Sequence, residues 1–134
     1  MSNLSDFISR GGGKLRYQEF TSSGTFTPSA ALLANGGQCY YELIGGGSSG
    51  AVAHSTTHAS GGNAGEYKTG VITVTGAVAV TIGAGGAAVV GTSTNIAGNA
   101  RSPSSIGALA TAAGGAAPPT STATNRWALW RLPP

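Results

Sequence analysis

Two histidines, His54 and His58, stand four residues apart in the sequence. On a helix this spacing would place both imidazoles on one face, where they could bind zinc. The glutamate that follows the first histidine in helical zinc enzymes is absent, and glycine clusters lie on both sides of the pair. We therefore predict that both histidines lie in an exposed loop. A metal ion held between chains, if several subunits meet on an axis, is the alternative.

Few other residues could take part in catalysis or ligand binding. The four acidic residues form no local pair, whereas catalysis by two carboxylates requires neighbours that separate their pKa values. Residues 83–86, Gly-Ala-Gly-Gly, follow a predicted strand, but neither the Lys-Ser/Thr pair nor the helix of a phosphate-binding loop comes after them. We expect a β-turn there, and interpret Asn63, Asn95 and Asn99 as turn residues. The sequence predicts a protein that is not an enzyme and uses no cofactor.

Both tryptophans of the chain, Trp127 and Trp130, lie close to its C-terminus. Tryptophan is enriched at the energetic centres of interfaces, and its rings also line sugar-binding surfaces. In a strand, an offset of three residues places two side chains on opposite faces, so one ring can be core and the other a contact. Burial of both in a small core or a subunit seam is the favoured interpretation.

Composition limits the classes of function. The chain of 134 residues fits one domain, and only 8% of its residues are charged, with a net charge of +3 and no dense basic patch for nucleic acid. The single cysteine, Cys39, excludes an intrachain disulfide and is interpreted as a small buried apolar residue. The sequence shows neither a membrane-spanning run nor a signal-peptide pattern, so we expect neither membrane insertion nor ordinary secretion. Few large apolar residues and little charge indicate support from neighbouring subunits.

The N-terminal residues differ from the rest of the chain. Leu4, Phe7 and Ile8 have the spacing of an amphipathic helix, and a run of three glycines follows at residues 11–13. So short a helix needs a surface to lie on, and the glycines supply a flexible tether. We predict that residues 1–13 form a docking segment.

Residues 14–134 predict a glycine-rich β domain. We expect a small all-β fold, an antiparallel β-sandwich or barrel-like domain with long loops. The strongest strand is Gln38–Ile44, which has bulky residues on both faces, so we expect both faces to be covered. Residues 66–75 and 77–82 are expected to form a hairpin joined at Thr75 and Gly76. Further predicted elements are a strand over 15–20, a helical turn over 29–35 with Leu32 and Leu33 facing inward, an exposed loop over 45–65, a short strand over 91–96 and a last strand over 126–132.

The order of these motifs resembles the glycine-rich domain of tailed-phage virion proteins, chiefly tail fibres. The resemblance covers roughly residues 16–115. Two departures are a lower glycine content at 83–91 and the C-terminal tryptophan tail, which is not part of the pattern. The motifs are FTSSGTFTP at 20–28, LIGGG at 43–47, GGNAGEY at 61–67, VITVT at 71–75, VTIGAGG at 80–86 and GTST at 91–94.

The resemblance implies a compact β-rich domain on a phage particle, in a homo-oligomer that is often trimeric. We expect a non-enzymatic virion protein, tail-fibre or tail-associated, assembled in the bacterial host cytoplasm. Its N-terminal segment would dock on other virion proteins, and its loops would attach to a polysaccharide or protein of the host surface. The alternative is a capsid decoration, head-fibre or baseplate accessory protein that stabilises the particle. Candidate contact residues are Trp127, Trp130, His54 and His58.

Overall fold

Eight short strands and one helical turn form the regular structure of residues 16–54, 57–91 and 94–122, the part of the chain that this computed structural model describes. The expectations for Leu4, Phe7, Ile8, Trp127 and Trp130 lie outside the described residues. The elements are β1 (Gly24–Phe26), α1 (Ala30–Ala34), β2 (Gln38–Ile44), β3 (Thr57–His58), β4 (Tyr67–Thr73), β5 (Val78–Thr81), β6 (Ser104–Ile106), β7 (Ala110–Ala112) and β8 (Ser121–Thr122).

The strands pair only antiparallel in the described ranges. One sheet has the order β1-β5-β6-β7, a second consists of β2 and β4, and a third, very short one consists of β3 and β8. The prediction of a small all-β domain with long loops is confirmed. No sheet of the described part closes into a barrel, because the edge strands β1 and β7 do not pair with each other.

Two local predictions are confirmed in detail. Strand β2 has the predicted bounds, and α1 occupies the predicted helical turn. Ser29 caps α1, its hydroxyl accepting a hydrogen bond from the Leu32 N–H at 3.2 Å. Gly36 and Gly37, with φ of 88° and 67°, end the turn in a conformation that favours glycine. The inward orientation expected for Leu33 is wrong, since 39% of that residue is exposed.

The predicted hairpin of residues 66–75 and 77–82 is wrong. Strand β4 pairs with β2, whereas β5 pairs with β1 and β6 in the other sheet. The link between β4 and β5 begins at Val74, which is 3% exposed and donates its N–H to the Gly37 carbonyl at 2.8 Å. Alternating apolar residues identify a strand but not its partner. All seven residues of β4 pair with the seven residues of β2.

The apolar core lies between the inner face of the β2–β4 sheet and the hairpin of β6 and β7. Its buried members are Leu43 from β2 and Ile106, Ala110 and Ala112 from the hairpin. This hairpin was not predicted, because its strands consist mostly of serine and alanine. The predicted strand over 15–20 is wrong for residues 16–20, which have no regular structure, and Ile96 forms only an isolated bridge with Val52.

Beyond the sheets, extended glycine-rich segments run side by side in what we call the glycine bundle. Residues 45–49 lie at its centre, and the surrounding segments are residues 60–66, 83–87, 97–102 and 113–118. Backbone hydrogen bonds join the centre to each neighbour: Ser48 N–H to Asn63 C=O (2.8 Å), Gly86 N–H to Gly47 C=O (2.9 Å), Gly46 N–H to Ser102 C=O (3.3 Å) and Gly115 N–H to Gly46 C=O (2.8 Å).

Close approach of backbones explains why glycine occupies the bundle. A methyl group on Gly45 would overlap the Ala113 carbonyl oxygen, and one on Gly65 would overlap the carbonyl oxygen of Gly45. Gly45 and Gly46 are buried. The expectation that residues 45–65 form an exposed loop is therefore wrong for its glycine-rich ends, which pack against other segments. In its middle, Val52 bridges to Ile96 and β3 pairs with β8.

Asparagine side chains join segments of the bundle that are distant in sequence. The Asn63 amide donates to the Ala116 carbonyl at 2.9 Å, and the Asn99 amide donates to the Ala87 carbonyl at 3.1 Å. Their interpretation as turn residues is therefore incomplete, because each amide connects two segments of backbone. Amides suit this task because they donate to carbonyl oxygens that no neighbouring N–H reaches.

Glycine substitutions test the backbone packing. Gly65→Ala should lower the free energy of unfolding by roughly 3 kcal/mol, since the new methyl group meets fixed backbone atoms. Gly61→Ala is the matched control, because no atom lies within 4 Å of a methyl group there; it should change stability by less than about 1 kcal/mol. Urea denaturation measures both. Equal midpoints for the two variants would contradict the packing described for the bundle.

Ser104 joins the sheets to the glycine bundle, and its removal should be costly. The buried hydroxyl donates to the Ile44 carbonyl at 2.6 Å and accepts from the Gly83 N–H at 2.9 Å. Ser104→Ala leaves both groups without this partner, so we expect a loss of roughly 2–4 kcal/mol in denaturant unfolding. Ser105→Ala, in the same strand, should cost less than about 0.5 kcal/mol. A loss for Ser104→Ala no larger than that of the control would refute this role.

Candidate functional site

The predicted contact histidines do not form a metal centre with other residues of the described part. Both side chains are exposed, His54 in a loop and His58 in β3, where it pairs with Ser121. The backbone N–H of His54 donates to the Asn95 side-chain oxygen at 2.7 Å. Within the described ranges, no group of three or more His, Cys, Asp or Glu could hold a metal ion.

The most distinctive surface of the described residues is the outer face of the β2–β4 sheet. Tyr40 lies opposite Val71, and Ile44 lies opposite Tyr67. Directly opposed residues of an antiparallel pair point to the same side, as do alternate residues of one strand. These four residues are exposed by 65%, 64%, 64% and 59%, respectively. We call this surface, with Glu42 and Thr69 between the two pairs, the Tyr40 face.

Exposure of the Tyr40 face corrects the expectation that both sides of β2 are covered. Cys39, Tyr41 and Leu43 on the inner side are buried or half-buried against the β6–β7 hairpin. On the outer side, no element of the described part packs against Tyr40 or Ile44. The reason is architectural, since the second sheet lies on only one side of β2 and β4. The described part of the chain therefore leaves an unusual cluster of bulky residues uncovered.

Glu42 is at the centre of the Tyr40 face and interacts with Tyr67. Desolvation is the largest cause that raises the pKa of Tyr67 above its ordinary value, followed by the acceptor oxygen and the negative charge of the nearby Glu42 carboxylate and by Tyr40. The other charged residue of the two strands, Lys68, alternates to the inner side, where its ammonium donates to the Thr111 carbonyl at 3.2 Å. The Tyr40 face therefore carries a single negative charge.

The register fixes the dimensions of the face. Tyr67 is opposite Ile44, four residues along β2 from Tyr40. At roughly 3.4 Å per residue, the two tyrosines are about 14 Å apart along the sheet, with Glu42 midway. The backbone beneath them is tightly packed, since a methyl group on Gly70 would lie 3.1 Å from the inward Tyr41 ring. The arrangement is an elongated, flat strip with aromatic ends and an acceptor in the middle.

Elsewhere, the described part contains a surface depression and two further titratable residues in defined surroundings. A shallow depression of about 290 Å³ has no charged lining residue; it is formed by residues 73–78 with Ala108 and Leu109. Burial raises the pKa of the Cys39 thiol, which disfavours the reactive thiolate. Glu66 acts structurally, because its carboxylate accepts the Ala113 N–H at 2.8 Å. No helix of the described part is long and apolar enough to span a membrane.

The family model of a glycine-rich domain matches residues 21–128. The match covers more than three quarters of the chain and includes every strand described above. The chain therefore belongs to this family of glycine-rich domains. The match also reaches Trp127, so the expectation that the family pattern excludes the whole tryptophan tail is wrong at that position. No curated protein and no solved structure matches the chain.

Sequence reasoning missed the Tyr40 face, although one signal for it was present. Bulky residues on both sides of β2 mean either a doubly covered strand or an exposed cluster. The two possibilities differ only in how many sheets surround the strand, and this depends on the partner of β4. Because β4 was assigned to the wrong partner, the outer side of β2 could not be recognised as free.

The Tyr67 hydroxyl provides a test of the electrostatics of this face. Glu42→Gln removes the negative charge, so the pKa of Tyr67 should fall towards its ordinary value. The raised pKa reflects a favoured neutral hydroxyl, whose stabilisation is complete below the ordinary tyrosine pKa and is lost as the pH rises through the folded value. An NMR titration of the Tyr67 ring, assigned with Tyr67→Phe, measures the shift. Glu19→Gln, an exposed acid elsewhere, is the control; equal pKa values in both variants would contradict the contact.

Proposed function

We propose that this chain is a non-enzymatic structural protein of a tailed-phage virion, of the tail-fibre type, which attaches to the host surface. The phage assignment is supported by the ordered motif series within a domain of the glycine-rich family. The attachment role is supported by one observation above all, the exposed Tyr40 face on a tightly packed scaffold. Large exposed apolar and aromatic clusters mark binding surfaces in soluble proteins.

The proposed protein acts as a homo-oligomer on the particle, with other virion proteins as its docking partners. Little charge opposes the association of copies, because only 8% of the residues are charged. The tightly packed glycine bundle suits a particle component, since it offers few loose loops to a protease. In this arrangement the N-terminal segment holds the domain on the particle, and the Tyr40 face and the exposed His54 and His58 point outward.

Deletion of residues 1–10 tests the docking role. The variant should fold normally by circular dichroism and thermal unfolding, yet be lost from purified phage particles, because the apolar residues that hold it are gone. Mass spectrometry of particles, normalised to the major capsid protein, measures occupancy. Replacing Leu4, Phe7 and Ile8 by glutamate should have the same effect, whereas replacing Ser2, Ser5 and Ser9 by alanine should not.

The outcomes of this experiment separate the candidate functions. Full occupancy after the deletion would rule out N-terminal docking. A wild-type copy number close to that of the major capsid protein would favour the decoration protein over the tail-associated one. Attachment is measured separately, by the ability of the purified chain to bind host cells and block infection. Failure of both would contradict the attachment role.

A further inference from the structure

The Tyr40 face has the shape of a site for an elongated ligand. Tyr40 and Tyr67 are exposed on one side of a flat strip, about 14 Å apart along the sheet. Ile44 and Val71 fill the space beside them. A tyrosine ring offers a flat apolar surface and a polar hydroxyl at its tip. Sugar rings have matching chemistry, with C–H groups on their faces and hydroxyls at their edges.

Glu42 supplies the polar component of such a site. Its carboxylate is exposed between the two pairs of large residues, and a carboxylate can accept several hydrogen bonds from ligand hydroxyls. Hydrogen bonds to an ionised acceptor are roughly twice as strong as neutral ones. As the only charge on the face, Glu42 also repels anionic ligands. The surface therefore favours a neutral ligand rich in hydroxyl groups.

A second copy of the chain fits the face less well. The four large side chains expose on the order of 450 Å² together, while a stable interface buries about 800 Å² on each partner. A two-fold axis through the centre of the face would also bring two Glu42 carboxylates together, and like charges at close range oppose association. The area and the charge both favour a smaller, uncharged occupant.

We propose that the Tyr40 face binds a neutral oligosaccharide chain lying along β2 and β4. Tyr40 and Tyr67 stack on sugar rings, and Glu42 accepts hydrogen bonds from sugar hydroxyls between them. The proposal rests on the proposed function, for which it names the ligand class of the host surface. The register of β2 with β4 and the glycine bundle hold the backbone beneath these groups in place before binding, which reduces the entropy lost on association.

Calorimetric titration of the full chain tests this binding. The neutral probes are maltohexaose, cellohexaose, mannohexaose and the neutral polysaccharide extracted from the host cell surface; the anionic probe is hexagalacturonate. At least one neutral probe should bind, and hexagalacturonate should not. Tyr40→Ala and Tyr67→Ala should each weaken binding roughly tenfold, because each removes an aromatic stacking surface.

Matched variants distinguish a loss of binding at the Tyr40 face from a general effect of removing a tyrosine or a charge. Tyr17→Ala removes a tyrosine that is 83% exposed but outside the face, so it should leave the affinity unchanged. Glu42→Gln should weaken binding of the neutral probe several-fold and reduce the discrimination against hexagalacturonate. Thermal unfolding of every variant verifies the fold; for any variant that does not fold, Tyr→Phe at the same position, which keeps the ring, should retain binding.

The failures of the two proposals are distinguishable. If no neutral probe binds, or if Tyr40→Ala and Tyr67→Ala bind as tightly as Tyr17→Ala, the saccharide inference is overturned. If the chain nevertheless binds host cells, the attachment function stands with another ligand. Conversely, tight saccharide binding without attachment to host cells would support the site and contradict the function.

Discussion

Contact between backbones without intervening side chains is the constraint on which the rest of this structure depends. The central segment of the glycine bundle, residues 45–49, exchanges hydrogen bonds with four other segments, and the backbones approach so closely that Gly45 and Gly46 have no space for a methyl group. The buried apolar core is small by comparison. Stability therefore relies on satisfied backbone groups and dense packing more than on large apolar side chains. Glycine loses much conformational entropy on folding, and this packing offsets that cost.

The glycine bundle also determines the geometry of the Tyr40 face. Strand β2 runs directly into residues 45–49, and residues 60–66 run directly into β4, so the bundle continues the same pair of chains. A two-stranded sheet by itself is marginally stable in water. Here its register is fixed at one end by the bundle and at the other by the hydrogen bond from Val74 to Gly37. The positions of Tyr40 and Tyr67 follow from that register.

The fold was partly predictable from the sequence. There are physical reasons why some elements could be predicted and others could not. Strand β2 and the turn α1 carry local signals, alternation in one case and a serine cap with glycines in the other. The partner of β4 is a long-range property that periodicity does not encode. The β6–β7 hairpin carries a weak apolar signal, because small residues, Ser104, Ala110 and Ala112, fill most of its buried positions and Ile106 is its one large buried residue. The Tyr40 face depended on the strand pairing and was missed with it.

An exposed apolar face is a liability in a chain with so little charge, and its retention needs a physical account. A flat strip of tyrosine, isoleucine and valine promotes stacking between copies. Glu42 limits this, because stacked copies would bring their carboxylates into an apolar contact, where charge is costly. The same carboxylate does not repel a neutral, hydroxyl-rich ligand, and it supplies a hydrogen-bond acceptor for the ligand's hydroxyls. One charged residue at the centre of the face thus disfavours a second copy and favours the proposed neutral ligand, and such a difference in affinity is what specificity requires.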